Sequence, residues 1–134
     1  MVVDGLEEKI RQALVGVRGD VVAAYLFGSH ARGTARDASD IDVAILVRGD
    51  PPSTLEGLGL DISADLERDL GCPVDLVVLN RGPWDLVHRV LRDGRLVLER
   101  DRSARIQFEV RARNQYFDML PIWQRYRSGH DRTP

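Results

Sequence analysis

The order of helix-like and strand-like segments predicts an α/β (α+β) domain, with a mixed sheet of about four strands packed against helices and a long C-terminal helix. Two observations lead to this expectation. Short runs of β-branched and aliphatic residues alternate with segments whose apolar residues recur at helical spacing. Glycine, proline and asparagine lie between these segments, where turns are expected.

The N-terminal half contains two of the predicted strands. The expected elements are a helix at 5–18, strands at 21–27 and 40–47, and a helix at about 53–70. Ser53 and Glu56 have the spacing of a capping box, which predicts the start of the second helix. Gly71 predicts its end, because glycine readily adopts the left-handed conformation found after helices.

The C-terminal half continues the alternation. The expected elements are a strand at 74–79, a turn at 80–83, a helix from Pro83 that Gly94 terminates, an edge strand at 95–99 and a helix at about 102–127. Asp101 is expected to cap the last helix. Residues 1–128 are therefore predicted to form one domain, and residues 129–134 a flexible C-terminal tail.

The composition argues against several classes of protein. A chain of 134 residues suits one domain, and a formal net charge of −2 argues against direct binding of nucleic acid. Cys72 is the only cysteine, so no disulfide forms within the chain and a reducing cytoplasm is the expected location. The apolar runs are too short to cross a bilayer, so no membrane association is expected.

Two aspartates open the second predicted strand. Asp40 and Asp42 lie two residues apart, so on a strand both side chains point to one face while Ile41 and Val43 point to the other. Neighbouring carboxylates repel each other unless a cation lies between them, and hard oxygen ligands suit Mg²⁺. Taken alone, the pattern also fits ordinary surface charges at the start of a strand.

Asp75 opens the third predicted strand in a similar way. If this strand pairs beside the strand at 40–47, Asp75 joins Asp40 and Asp42 as a third carboxylate. Such a trio can hold two Mg²⁺ ions, the arrangement used for in-line phosphoryl or nucleotidyl transfer.

A Gly-Ser pair follows the first predicted strand. Gly28 permits a tight turn and a close approach of the backbone to a ligand, and Ser29 offers a hydroxyl and an N–H group. A short helix starting near His30 would direct its amides at a triphosphate, with Arg32 or Arg36 neutralising phosphate charge. By itself, the pair also fits an ordinary turn with solvent-facing arginines.

Together the two motifs resemble the GS-x10-DxD signature of the DNA polymerase β-like nucleotidyltransferases. Gly28-Ser29 is followed by ten residues and then by Asp40-Ile41-Asp42. The longer string GSHARGTARDASDIDV is similar to GSxARGxxxxxSDIDL of the minimal nucleotidyltransferases, with Val43 in place of the usual leucine. LERD (98–101) and FEVRARNQYFD (108–118) are similar to the antitoxin branch, the MNT partners of HEPT-domain toxins.

The resemblance implies the nucleotidyltransferase fold and a set of site residues. It implies nucleotide contacts at Gly28, Ser29, Arg32 and Ser39. Asp40 and Asp42 would bind two Mg²⁺ ions, and Asp75 would complete the metal site and help to deprotonate the attacking hydroxyl.

The implied reaction is transfer of AMP from ATP to a tyrosine hydroxyl of a HEPT-domain ribonuclease toxin, which neutralises the toxin. The chain would then be a Mg-dependent protein adenylyltransferase that forms a hetero-oligomer with its toxin. Two alternatives stay open: a nucleotidyltransferase for a small hydroxyl compound such as an aminoglycoside, and a non-catalytic antitoxin that neutralises by binding. The short chain argues against the first, and the complete motifs argue against the second.

The last predicted helix carries two apolar stripes. One stripe comprises Ile106, Val110, Phe117 and Leu120, and the other Phe108, Ala112, Met119 and Trp123. One stripe is enough to pack a helix on its sheet, so the second indicates either burial on both sides or a surface that meets a partner.

Overall fold

The computed structural model describes residues 2–15, 21–28, 40–48 and 55–131. The elements are α1 (Val2–Val15), β1 (Val21–Phe27), β2 (Ile41–Val47), α2 (Leu55–Leu70), β3 (Val74–Val78), a 3₁₀ helix (Leu79–Arg81), α3 (Trp84–Asp93), β4 (Arg95–Glu99) and α4 (Arg102–Asp131). Their order and the mixed sheet confirm the predicted α/β (α+β) class with its long C-terminal helix.

The sheet has the strand order β3-β2-β1-β4. Strand β1 pairs antiparallel with β2 and β4, whereas β2 pairs parallel with β3. The edge position expected for β4 is therefore confirmed. A parallel pair needs a crossover connection, and α2 lies in the chain between β2 and β3. Both of these strands consequently begin at the same end of the sheet.

Alternation along the strands separates two apolar cores. The first core joins Ile41, Val43, Ile45 and Val47 of β2 to residues of α1 and α2, among them Ile10, Leu14, Ile62 and Leu66. The second core joins Ala44 and Leu46 of β2 to Val87 and Val90 of α3 and to Phe108 and Ala112 of α4. Helices thus cover both faces of the sheet.

Several element ends differ from the predictions. Helix α1 begins at Val2, earlier than predicted, and residues 16–20, where it was predicted to end, lie outside the described residues. Ser53 of the predicted capping box also lies outside them. Pro83 is the N-cap residue of α3 rather than its first helical residue. Gly71 follows α2 with φ 73°, as its predicted role as a stop requires.

Helix α4 begins as predicted but ends later. The Oδ1 atom of Asp101 accepts a hydrogen bond of 3.0 Å from the N–H of Ala104, which caps the helix and lowers the pKa of Asp101. The helix spans 30 residues and continues through Pro121 to Asp131, into the segment predicted as a tail. Among the described residues, no helix is long and apolar enough to cross a membrane.

The two stripes of α4 have different surroundings. Phe108 and Ala112 pack against the second core. Ile106, Val110 and Phe117 are 41%, 45% and 57% exposed. These three exposed residues all belong to one of the two predicted stripes, so that stripe is the candidate for a surface that meets a partner. The side chain of Trp123, in the other stripe, lies outside the described residues.

Candidate active site

Asp42 and Asp75 lie side by side at the start of the parallel strand pair. The register places Asp42 opposite Asp75, and hydrogen-bonded neighbouring strands lie about 4.8 Å apart. Side chains opposite each other in a sheet share a face, so both carboxylates lie on the face that α3 and α4 cover. The conditional expectation that β3 would bring Asp75 beside the second strand is therefore confirmed.

The end of β1 reaches the same place. Phe27 pairs with Asp42 across the antiparallel strands, so Gly28 follows directly beside this acid. Gly28 has φ 74°, a conformation that favours glycine. A Cβ atom added at Gly28 would overlap the carboxylate of Asp42. Both the backbone conformation and the close approach of the acid therefore require a glycine here.

An open pocket of about 440 Å³ lies against the acid pair. It is lined by Phe27, Gly28, Asp42, Asp75, Leu86, Arg89 and Asp93. The last three come from one side of α3, where residues three and four positions apart are neighbours. Sequence reasoning missed Arg89 and Asp93, because the apolar positions of α3 indicate which side packs on the sheet but not which charged residues at its edge border the acids.

The other predicted site residues either lie away from the pocket lining or fall outside the described residues. Asp40 immediately precedes β2 and is exposed, and it is not among the described residues that line the pocket. Ser29, Arg32 and Ser39 lie outside the described residues, so their nucleotide contacts stay predictions. The structure therefore brings Gly28, Asp42 and Asp75 together, and their chemical roles also stay predictions.

The donor atoms at the pocket suit Mg²⁺. Asp42 and Asp75 present carboxylate oxygens beside an open space, and Mg²⁺ is usually held by one or two protein carboxylates together with water and substrate phosphate. Within the described residues, no group of three or more acidic, histidine or cysteine side chains is assembled to hold a metal. The predicted pair of ions would therefore need oxygens from the nucleotide as well.

Aromatic rings hold α3 against α4. The rings of His88 and Tyr116 stack with centroids 3.5 Å apart and planes within 4° of parallel. Trp84 contacts the same tyrosine at a centroid distance of 5.6 Å. Trp84 lines a second cavity of about 570 Å³ between α3 and α4, and it is not among the described residues that line the acid pocket. The stack thus fixes the helix that carries Arg89 and Asp93.

A polar cluster ties α4 to β1 and to the end of β4. The hydroxyl of Tyr25 donates a hydrogen bond of 3.1 Å to Glu109, and Arg105 forms ion pairs with Glu109 and Glu99. Burial raises the pKa of Tyr25, and the charge of Glu109 raises it further. Tyr25 therefore stays protonated, and its hydrogen bond to Glu109 helps to position α4.

Comparison with protein families finds one that matches most of the chain. The family described as polymerase beta, nucleotidyltransferase matches residues 8–103. This range contains β1 to β4 and therefore all the pocket residues. Among curated proteins, none matches.

Several solved structures share the fold. A chain from a toxin–antitoxin crystal structure with AMP-PNP is 25% identical, with a TM-score of 0.78 over 92% of this chain and 96% of that one. A chain from the complex of a tri-AMPylated Shewanella oneidensis HEPN toxin with an MNT antitoxin is 22% identical, with a TM-score of 0.74 over 95% and 97%. A chain of the toxin–antitoxin MntA–HepT is 22% identical, with a TM-score of 0.73 over 94% and 97%.

Proposed function

Because the chain belongs to the polymerase beta nucleotidyltransferase family, we propose that it is an antitoxin that transfers AMP from ATP to a tyrosine hydroxyl of a HEPT-domain toxin. The observation that carries the proposal is the meeting of Gly28, Asp42 and Asp75 at one open pocket in this fold. The likeness to a toxin–antitoxin with AMP-PNP supports ATP as the substrate. A toxin is chosen as the acceptor because one chain of similar fold comes from a complex in which the toxin is tri-AMPylated.

The nucleotide would enter with its phosphates toward the Gly-Ser turn. Gly28 has no side chain and lies against Asp42, so a phosphate can approach the backbone and the acid together. Ser29, Arg32 and Ser39 are proposed to complete the phosphate contacts. Close fixation of the reacting groups supplies much of the rate in reactions of this kind.

The carboxylates have two proposed tasks. Asp40, Asp42 and Asp75 would hold Mg²⁺, which when bound lowers the pKa of the attacking hydroxyl and offsets charge on the departing pyrophosphate. Asp75 is exposed on the edge strand β3, where a tyrosine from another protein has access. Its carboxylate would accept the proton of that hydroxyl, because a tyrosine hydroxyl is a weak nucleophile until it is deprotonated.

The exposed stripe of α4 is the proposed contact with the toxin. Ile106, Val110 and Phe117 expose apolar surface along one side of a helix whose other side packs on the sheet. Apolar and aromatic residues of this kind are common in the central part of protein interfaces. We place the complex in the cytoplasm, where the single cysteine would stay reduced.

The test is transfer of label from ATP carrying a radioactive α-phosphate. The chain is incubated with this ATP, Mg²⁺ and the cognate HEPT toxin, and the modified toxin residue is found by peptide mass spectrometry. We expect labelled AMP on a toxin tyrosine, and loss of the label with Asp75→Asn or with a chelator.

Other outcomes would select the alternatives. Label on an aminoglycoside but not on the toxin would identify a small hydroxyl compound as the acceptor. Neutralisation of the toxin without any label, and equally by Asp75→Asn, would identify an antitoxin that acts by binding. Either result would overturn the proposed function.

A further inference from the structure

Helix α3 carries two arginines with different surroundings. Arg92 is engaged with its neighbour, because its Nε and Nη2 atoms donate to the two carboxylate oxygens of Asp93 at 2.9 and 2.8 Å. Arg89 lies almost one turn earlier and lines the acid pocket. Among the described residues, Arg89 has no hydrogen bond or ion pair. Its guanidinium is therefore available to a ligand that enters the pocket.

The charges around the pocket are unequal. Asp42, Asp75 and Asp93 supply three carboxylates to the described lining, and Arg89 supplies its single cation. Arg89 and Asp93 are four positions apart on one side of α3, whereas the other two acids come from strands. A ligand between the strands and the helix thus meets two carboxylates on the strand side, and a guanidinium and the third carboxylate on the helix side.

Phosphate is the group that such a position suits. A guanidinium stays protonated at any ordinary pH, and its planar N–H groups can donate to two oxygens of one phosphate. The acids need a cation between themselves and a phosphate, whereas Arg89 can contact phosphate oxygens directly. The pocket therefore offers two separate means of holding a polyphosphate.

We propose that Arg89 is a nucleotide-binding residue that donates hydrogen bonds to the phosphate oxygens of ATP from the α3 side of the pocket. The assignment rests on the proposed function, because it requires that the acid pocket takes a nucleoside triphosphate. Leu86, about one turn earlier on the same side of α3, adds apolar surface to the pocket wall beside the guanidinium.

A purely structural role for Arg89 predicts a different behaviour. If its charge only relieves repulsion among the three acids, its removal destabilises the protein without nucleotide. If it binds phosphate, its removal weakens nucleotide binding and leaves the nucleotide-free protein nearly as stable as before. Thermal unfolding without nucleotide therefore separates the two roles.

The experiment measures binding of AMP-PNP with Mg²⁺ to the full chain by titration calorimetry. We expect Arg89→Ala to raise the dissociation constant about 10- to 100-fold, the usual range for losing hydrogen bonds to a charged group. Arg89→Lys keeps the charge but not the two-pronged geometry, so a smaller rise is expected. Arg68→Ala is the matched control, because Arg68 is an exposed arginine of α2 that pairs with Asp65.

The results that overturn the assignment are distinct from those that overturn the proposed function. A dissociation constant for Arg89→Ala within twofold of that for Arg68→Ala overturns it. So does a rise in the KM for toxin alone, or a fall in the nucleotide-free melting temperature several degrees beyond the control. If wild type transfers AMP to toxin while Arg89→Ala matches the control, only the Arg89 assignment fails. If wild type neither binds AMP-PNP nor transfers AMP, both proposals fail.

Discussion

The two faces of the sheet differ in what their side chains do. On the face covered by α1 and α2, β2 presents only buried aliphatic residues. On the face covered by α3 and α4, the same strand begins with Asp42 and continues with Ala44 and Leu46. Since successive strand residues point in opposite directions, one strand serves a closed apolar core and an open acidic pocket. The difference shows how buried aliphatic residues on one face of a strand can hold two mutually repelling carboxylates in place on the other.

The acid pair is costly on its own and needs that support. Two carboxylates on adjacent strands repel each other, which is a local conflict of a kind found at functional sites. Ile41 and Val43 flank Asp42 in the chain and are 3% and 0% exposed. Their burial fixes the strand, and with it the backbone position of Asp42.

Removal of one acid should have the largest effect on activity and little on stability. Asp42→Asn keeps the size of the side chain but removes its charge. Stabilisation of the transition state by a bound metal is worth several kcal/mol, so we expect AMP transfer to fall roughly 1,000-fold. The melting temperature should change little, because the buried neighbours of Asp42 in β2 hold the strand in place. A melting temperature several degrees lower would contradict the separation of the two faces.

Removal of a buried side chain on the face covered by α1 and α2 should lower stability and have little effect on activity. Ile45 is fully buried in the first core. Ile45→Ala should lower the free energy of unfolding by about 2–5 kcal/mol, because it removes buried methyl groups and leaves a cavity. Urea unfolding measures this change. The transfer rate per folded molecule should stay near that of wild type, and a thousand-fold loss at a temperature where the variant is folded would contradict the comparison.

Two glycines allow the effect of backbone strain to be separated from the effect on the site. Gly28 and Gly71 have nearly the same φ, 74° and 73°. A Cβ atom at Gly71 meets nothing within 4 Å, whereas one at Gly28 meets the carboxylate of Asp42. Both alanine variants should lose about 1–3 kcal/mol of stability through the strained conformation.

Only Gly28→Ala should also reduce AMP transfer and AMP-PNP binding, because its methyl group displaces Asp42 and narrows the approach of a phosphate. Transfer assays on both variants at a temperature where each is folded measure the difference. Equal activity of the two variants would show that Gly28 is needed for the turn alone.

The sequence predicted the parts of the site that depend on local patterns. Alternation places Ile41 and Val43 opposite Asp42, and a glycine after an apolar run indicates a turn, so the strand ends could be placed in advance. The position of Asp75 needed one further assumption, that β3 pairs with β2. The parallel register confirms that assumption.

The helix side of the pocket could not be predicted in the same way. Arg89 and Asp93 lie among several charged residues of α3, and their spacing alone does not show which of them face the strands. That orientation is set by tertiary packing, in which Val87 and Val90 enter the second core and His88 stacks on Tyr116. The late end of α4 was missed because Ser128, Gly129 and the polar residues after them weaken the helical pattern.

The smallest expected effect concerns the polar cluster of Tyr25, Glu109 and Arg105, on the face of the sheet that α3 and α4 cover. Tyr25→Phe removes one hydrogen bond to Glu109, which keeps its ion pair with Arg105, so we expect a loss of about 0.5–1.5 kcal/mol in stability. Because burial raises the pKa of Tyr25 above its ordinary value of 10.0, its contribution is complete below that pH and is lost as the pH rises through the folded-state value. The stability difference between wild type and Tyr25→Phe should therefore narrow above about pH 10. Urea unfolding of both proteins at pH 7 to 11 measures this difference in unfolding free energy. A difference that widened with pH would mean that the fold does not hold Tyr25 in its protonated form.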